Sequence, residues 1–192
     1  FNRTWLEDQG SEDSHGRTLW ALGECARNDA SRSRRRWAAA LFAEALPADV
    51  KSESAVEMVL CAPFTALTTL QAALKGTQVH IGAQNIYHEE SGAYTGEIAP
   101  AMLTACGVSH VIIGHSERRE YFGENDVTVN LKVKMALQSG LNPILCVGES
   151  LHEREAGQTE WRIEGQLQAV FDAAGAQAFA VAIIAYEPVW AI

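Results

Sequence analysis

No two of the four cysteines, Cys25, Cys61, Cys106 and Cys146, stand in a CxxC spacing, and three of them lie inside apolar segments. A disulfide framework or a paired metal cage has no support in such a pattern. The thiols read instead as reduced core residues of a cytoplasmic protein. No apolar run reaches the ~18 residues that a membrane span needs, and no signal peptide is visible. Basic residues are few: 15 Lys and Arg stand against 24 Asp and Glu, a formal net charge of −9. A phosphate backbone or an anionic membrane demands a concentrated positive face, so neither nucleic acid nor membrane is expected as a partner. The one local exception, "RSRRR" at 32–36, leads directly into the apolar "WAAALFAEAL" and reads as a solvated helix start.

What is present is a globular composition, 47% hydrophobic and 20% charged over 192 residues, enough to bury a real core. Residues 1–16 are polar and acidic without strand or helix periodicity and are left unassigned, and 17–192 is read as one domain. The chain starts on Phe1 and stops among apolar residues without a cap or polar tail, so a fragment is expected.

Five short apolar runs recur: "VEMVLCA" from Val56, "VHIGA" from Val79, "HVIIG" from His110, "PILCVG" from Pro143 and "FAVAIIA" from Phe179. They are mostly continuous, as in parallel strands buried on both faces. Between the later runs lie helical patterns. Val129, Val133, Ala136 and Leu137 share a face, with Asp126 as N-cap and Gly140 just past the end. Ile163, Leu167, Val170, Phe171 and Ala174 repeat that geometry. The rhythm is βαβ, which suits an open doubly wound sheet or a closed (β/α)₈ barrel. No glycine-rich dinucleotide fingerprint follows any strand, whereas polar groups follow most of them: Asn85, His115, Glu149 and Glu187. A barrel builds its active site at that C-terminal rim, so the expected fold is an α/β (β/α)₈ barrel.

"VIIGHSERREYFGE" is the densest site. His115 leaves its strand directly after Gly114, and Ser116 is placed to cap a short helix, which sets the imidazole beside a helix N-terminus. The positive end of that helix disfavours a second positive charge, so the ring is expected to stay neutral and to donate a hydrogen bond. Glu187 sits at the equivalent place after the last strand. A neutral imidazole that polarises an oxygen, paired with a carboxylate that moves a carbon-bound proton, suits abstraction next to a carbonyl. His110 lies five residues before His115, an odd separation that turns the two rings to opposite faces of a strand, so no metal site is expected. "GAYTGEI", from Gly92 to Ile98, reads as a polar loop that one protomer could push into another.

Together "GAQN", "SGAYTGEI", "IIGHSERR", "PILCVGE", "EREAG" and "AYEPVWAI" occur in the order and separations of triosephosphate isomerases, and from about residue 46 to residue 192 the chain resembles that family. The resemblance implies a (β/α)₈ barrel, here incomplete with about six of eight units. It implies an isomerase of glycolysis and gluconeogenesis that interconverts dihydroxyacetone phosphate and glyceraldehyde 3-phosphate through an enediolate. A cytoplasmic homodimer without cofactor or metal is implied with it. Carried over by position, Glu187 resembles the proton-shuttling base and His115 the neutral electrophile, a pairing for which this family is the standing example. Glu117 resembles a buried carboxylate behind the site, and Cys146 a core cysteine near the glutamate. Thr95 and Glu97 resemble the loop that reaches a partner subunit, and Arg118 its salt-bridge residue.

The resemblance departs where the family's first strand ends in Gly-Asn-x-Lys. Gly23, Glu24 and Ala26 stand at the glycine, asparagine and lysine, so neither functional side chain is present. Most of the flexible lid, the last two strands and the phosphate loop find no counterpart before Ile192. The fragment alone is therefore expected to be inactive. The alternative is a non-catalytic barrel remnant that keeps only fold and dimer contacts, and another phosphate-binding barrel enzyme would need a different use of His115 and Glu187.

Overall fold

The computed structural model describes residues 55–191 together with Ser31, Ala38, Ala40 and Leu41. Residues 1–16, the positions Gly23, Glu24, Cys25 and Ala26, and the basic run at 32–36 lie outside the described residues. The chain divides into two compact units, one reaching to Met58 and including Thr65–Val79, the other comprising Val59–Phe64 and His80 onward.

In the first unit, helix α1 (Leu67–Ala73) buries Leu67 and Leu70, and Leu74 just past its end continues the same face. The Thr77 hydroxyl donates to the Leu74 carbonyl at 2.9 Å and accepts from the Val79 N–H at 3.3 Å, which turns the chain after the helix.

The second unit holds a five-stranded sheet: β1 (Val59–Ala62), β2 (His80–Ala83), β3 (His110–Ile113), β4 (Asn142–Val147) and β5 (Ile183–Tyr186). Neighbours follow chain order and every pair is parallel. A doubly wound sheet reverses its strand order at a switch point, and this sheet has no reversal, which is the order of a (β/α)₈ barrel. Its helices are α2 (Pro100–Ala105), α3 (Ser116–Phe122), α4 (Asp126–Gln138), α5 (Leu151–Glu155) and α6 (Thr159–Ala174). Val111, Ile113, Leu145 and Val147 are buried in the strands, and α4 packs Val129, Val133 and Ala136 against β3 and β4.

Three expectations need correction. Asn125, not Asp126, caps α4: its Oδ1 accepts from the Thr128 N–H at 3.1 Å, while Thr128 Oγ1 accepts from the Asn125 N–H at 2.9 Å. Shifting the cap by one residue frees the Asp126 carboxylate for two arginines. In α6 the buried residues are Val170 and the polar Gln166, while Phe171 is exposed and lines an open apolar groove with Ile163, Leu167 and Phe179. The helix is turned to bring the Gln166 amide onto backbone at the end of β4. Finally, the run Phe179–Ala185 is not one buried strand. Ala176–Ala180 forms a 3₁₀ turn, β5 begins at Ile183, and Ile183 and Ile184 are 40% and 42% exposed. Among the described residues β5 pairs only with β4, so this edge strand lacks the cover that an apolar run in a parallel sheet ordinarily has.

Candidate active site

Strand β3 delivers His115 through a turn that only Gly114 fits. Its φ of +77° is left-handed, and a Cβ there would come 3.2 Å from Val129 Cγ2 and 3.3 Å from the Cys146 carbonyl oxygen. Arg119 Nε holds the Gly114 carbonyl at 2.8 Å, and its Nη1 bonds Asp126 at 2.7 Å, so the turn is tied to the start of α4. His115 itself, rather than Ser116, occupies the N-cap position of α3. Its Nδ1 accepts from the Glu117 N–H at 3.3 Å, which assigns the ring proton to Nε2.

That Nε2 lies 2.8 Å from Glu187 Oε1, so the two residues singled out from sequence meet across the ends of β3 and β5. The Glu187 N–H donates to the Val147 carbonyl at 2.8 Å, extending the ladder between β4 and β5 by one residue. Ser116 completes the hold: its hydroxyl donates to Oε1 at 2.8 Å and its N–H to Oε2 at 3.0 Å. The first N–H groups of a helix have no partner within it, so a carboxylate is a natural acceptor there. With its Nδ1 accepting, the His115 ring meets Glu187 as a neutral donor, as do the Ser116 hydroxyl and N–H, and the Cys146 thiol hydrogen-bonds the same carboxylate. Cys146, buried beside Glu187, has its thiol pushed up to about 12, by burial first and then by the glutamate's charge, so it is an inert packing group.

The other polar groups after the strands go elsewhere. Asn85 Oδ1 accepts from Lys132 Nζ at 2.7 Å, and Lys132 also donates to Glu124, which Arg118 bonds as well. Glu149 is fully buried and accepts from Tyr186 Oη at 3.1 Å, Trp190 Nε1 at 3.1 Å and Arg154 Nη1 at 3.3 Å. Burial pushes its carboxyl up, but these donors outweigh burial and hold it below the ordinary range. Glu117, expected to be buried, keeps 52% of its side chain exposed. It sits on the first turn of α3 with its carboxylate 3.8 Å from His115 Nδ1, and the buried carboxylates near the rim are Glu124 and Glu149. Thr95 and Glu97 lie on an exposed loop whose base is closed by the Tyr87 N–H donating to the Ile98 carbonyl at 3.0 Å. Arg118, besides its bond to Glu124, lies 4.6 Å over the Phe122 ring. His110 is buried at the start of β3 with its ring nitrogens against Ser109 Oγ and Asn142 Nδ2.

Sequence reading missed Ser116 as a glutamate holder, took Asp126 only as a helix cap, and missed Arg119 and Gln166 altogether. Only Ser116 had a signal, a hydroxyl next to a rim histidine at a helix start.

Residues 32–192 match the sequence model of the triosephosphate isomerase family. The chain belongs to the triosephosphate isomerase family. It is 54% identical to the triosephosphate isomerase of Alkaliphilus oremlandii over 144 residues, which cover 75% of this chain and 58% of that protein. With the triosephosphate isomerase of Citrifermentans bemidjiense it shares 52% over 155 residues, 81% of this chain and 61% of the relative. With that of Herpetosiphon aurantiacus it shares 51% over 149 residues, 78% and 60%. The chain thus spans about three fifths of the length of these curated relatives. The family match begins after Gly23, Glu24 and Ala26, so it does not reach the residues set against the family's Gly-Asn-x-Lys. Among the described residues no helix is long and apolar enough to cross a membrane.

Proposed function

We propose that the complete protein interconverts dihydroxyacetone phosphate and glyceraldehyde 3-phosphate, with Glu187 as the base and His115 as the electrophile. The observation that carries this is the 2.8 Å approach of His115 Nε2 to Glu187 Oε1 in a chain of this family. The Glu187 carboxylate takes a proton from the carbon next to the substrate carbonyl and returns it to the former carbonyl carbon, while the hydroxyl proton passes to the former carbonyl oxygen, so that the C=O moves by one carbon. His115 Nε2–H hydrogen-bonds the oxygen on which negative charge develops in the enediolate. A substrate oxygen takes this N–H only by displacing Glu187 Oε1, so the carboxylate must trade the bond from His115 for the reacting carbon. Neutral donors at a rim permit that exchange, because each can be replaced by water or substrate. Neither metal nor cofactor is needed, since the proton carrier and the polarising donor are both side chains.

The same reading makes the protein a cytoplasmic homodimer of glycolysis and gluconeogenesis. Thr95 and Glu97 would enter the partner and Arg118 would stand at the contact. Support comes from the exposed, base-pinned loop and from Tyr121 and Phe122, both largely exposed on α3 beside Arg118.

The experiment is steady-state kinetics on the chain completed to its relatives' length, comparing Glu187→Gln with the parent. A base acts in the transition state, so kcat should fall by about 10²–10⁴ with KM changed only a few-fold. A kcat within about tenfold of the parent, roughly 1.4 kcal/mol, would take Glu187 out of the role.

A further inference from the structure

Gln166 projects from the middle of α6, is 3% exposed, and clamps a single backbone residue at the end of β4. Its Oε1 accepts from the Gly148 N–H at 3.0 Å and its Nε2 donates to the Gly148 carbonyl at 3.2 Å. The amide therefore does for Gly148 what a paired residue of a neighbouring strand would do, satisfying donor and acceptor together.

Gly148 is the surface on which Glu187 rests. A Cβ at position 148 would lie 1.9 Å from the Glu187 carbonyl oxygen, 2.7 Å from its carbonyl carbon and 3.3 Å from Pro188 N. On either side of this contact the backbones are stitched: the Glu187 N–H donates to Val147 O at 2.8 Å and the Val189 N–H to Glu149 O at 3.1 Å. A displacement of Gly148 must therefore displace the Glu187 backbone. One turn before Gln166 on the same helix, Arg162 Nη1 bonds Asp126 at 2.8 Å, and Asp126 bonds the Arg119 that holds the Gly114 carbonyl before His115. Helix α6 thus anchors the end of β3, which carries His115, and the end of β4, on which Glu187 rests.

We infer that Gln166 is a positioning residue for the reaction: it fixes the Gly148 peptide and, through it, the reach of the Glu187 carboxylate to substrate. The inference rests on Glu187 being the base. Side-chain length is the critical property, because asparagine is one methylene short of Gly148. Glutamate matches the length but keeps only the acceptor, and it faces the Gly148 carbonyl with an oxygen. Methionine fills the volume and makes neither bond.

The test uses the chain completed to its relatives' length, with Gln166→Met, Gln166→Glu, Val170→Ala, Glu187→Gln and the double variant Gln166→Met with Glu187→Gln. Val170 is buried on the same helix one turn on and serves as the control for general loosening. With all variants assayed under folded conditions, Gln166→Met should lower kcat by about 10- to 100-fold while KM changes less than about threefold, since a misplacement near 1 Å costs on the order of 10². Gln166→Glu should fall between parent and Gln166→Met, and Val170→Ala should keep the parent's kcat. In the Glu187→Gln background Gln166→Met should cost nothing further, because the group it positions is gone. If Gln166→Met loses no more kcat than Val170→Ala while Glu187→Gln is crippled, the clamp is structural only and the inference fails alone. An additional loss in the Glu187→Gln background overturns it too. A Glu187→Gln variant with near-parent kcat overturns the base assignment and this inference with it.

Discussion

Glu124 and Glu187 are carboxylates in the same unit, both held by side chains and both close to strand ends, yet they are held by opposite means. Glu124 is buried between two cations, Lys132 and Arg118, and Lys132 is itself buried. Among the described residues no cation bonds Glu187: its donors are the His115 ring, the Ser116 hydroxyl and N–H and the Cys146 thiol, and 15% of its side chain stays exposed at the rim. Moving Glu124 would strand two charges in a poorly solvated place, whereas moving Glu187 breaks bonds that water or a substrate can remake. The first arrangement makes a joint of the fold. The second leaves a carboxylate free to change partners, which a proton carrier needs.

The largest effect should come from breaking the cationic joint. Glu124→Ala leaves Lys132 buried with no carboxylate opposite it, and losing one partner of a buried pair typically costs about 3–5 kcal/mol. Glu187→Ala removes hydrogen bonds at a solvated rim and should cost about 1 kcal/mol. Urea unfolding of both variants gives the two numbers. Equal losses, or a greater one for Glu187→Ala, would show that the two carboxylates are not held differently.

A smaller loss of stability, with a larger loss of turnover, is expected for Gly148→Ala. The added methyl, fixed directly on the Cα, overlaps the Glu187 carbonyl, which is backbone, so neither can rotate away. Overpacking of this kind typically costs about 1–3 kcal/mol. Since the atom that must yield belongs to Glu187, kcat should fall well beyond what that destabilisation explains. Turnover matching the parent's in folded Gly148→Ala protein would show that the rim tolerates movement of this peptide.

Acid should separate the two regions again. Glu124 and Asp126 each have a carboxyl that burial raises, but the bonds from Lys132 and Arg118 in the first case, and from Arg162 and Arg119 in the second, outweigh burial and hold it below the ordinary value. A group with a depressed folded pKa is protonated first in the unfolded chain, so its stabilisation is complete above the ordinary carboxylate range. It is lost as pH falls through that range toward the folded values. The urea midpoint should therefore drop on acidification from neutral pH, and Glu124→Gln or Asp126→Asn should show a shallower drop than the parent. A midpoint that holds or rises would contradict both ion-pair assignments.

How much of this could be read beforehand follows from the range of each interaction. The five apolar runs and the two rim residues His115 and Glu187 were legible, because strand patterning and the position just past a strand are local properties. Asn125 as cap was missed because two adjacent residues of equal capping strength differ only in which one a distant arginine claims. Gln166 was missed because nothing near it in sequence says that a backbone residue 18 positions earlier lacks a partner. The exposure of β5 was hidden for the opposite reason: an apolar run implies cover, and cover depends on what packs against it.

Glu149 offers the mildest test of the comparison, being buried like Glu124 but held mainly by neutral donors like Glu187. Tyr186 and Trp190 donate to it from within the structure, and Arg154 adds a charged bond at 3.3 Å from a side chain that is 49% exposed. Arg154 also lies 4.4 Å over the Trp190 ring. Removing the arginine therefore leaves the carboxylate with donors, and what is lost is a solvent-screened ion pair and an exposed cation–π contact, each typically at or below about 1 kcal/mol. Arg154→Ala should lower stability by about 1 kcal/mol on that basis, and the difference from the parent should shrink as salt is raised. Measured beside Glu124→Ala, it asks whether burial or the charge of the partners decides how firmly a carboxylate is locked. A loss for Arg154→Ala as large as for Glu124→Ala would make burial the deciding factor, and the freedom assigned to Glu187 would then rest on its exposure rather than on its neutral donors.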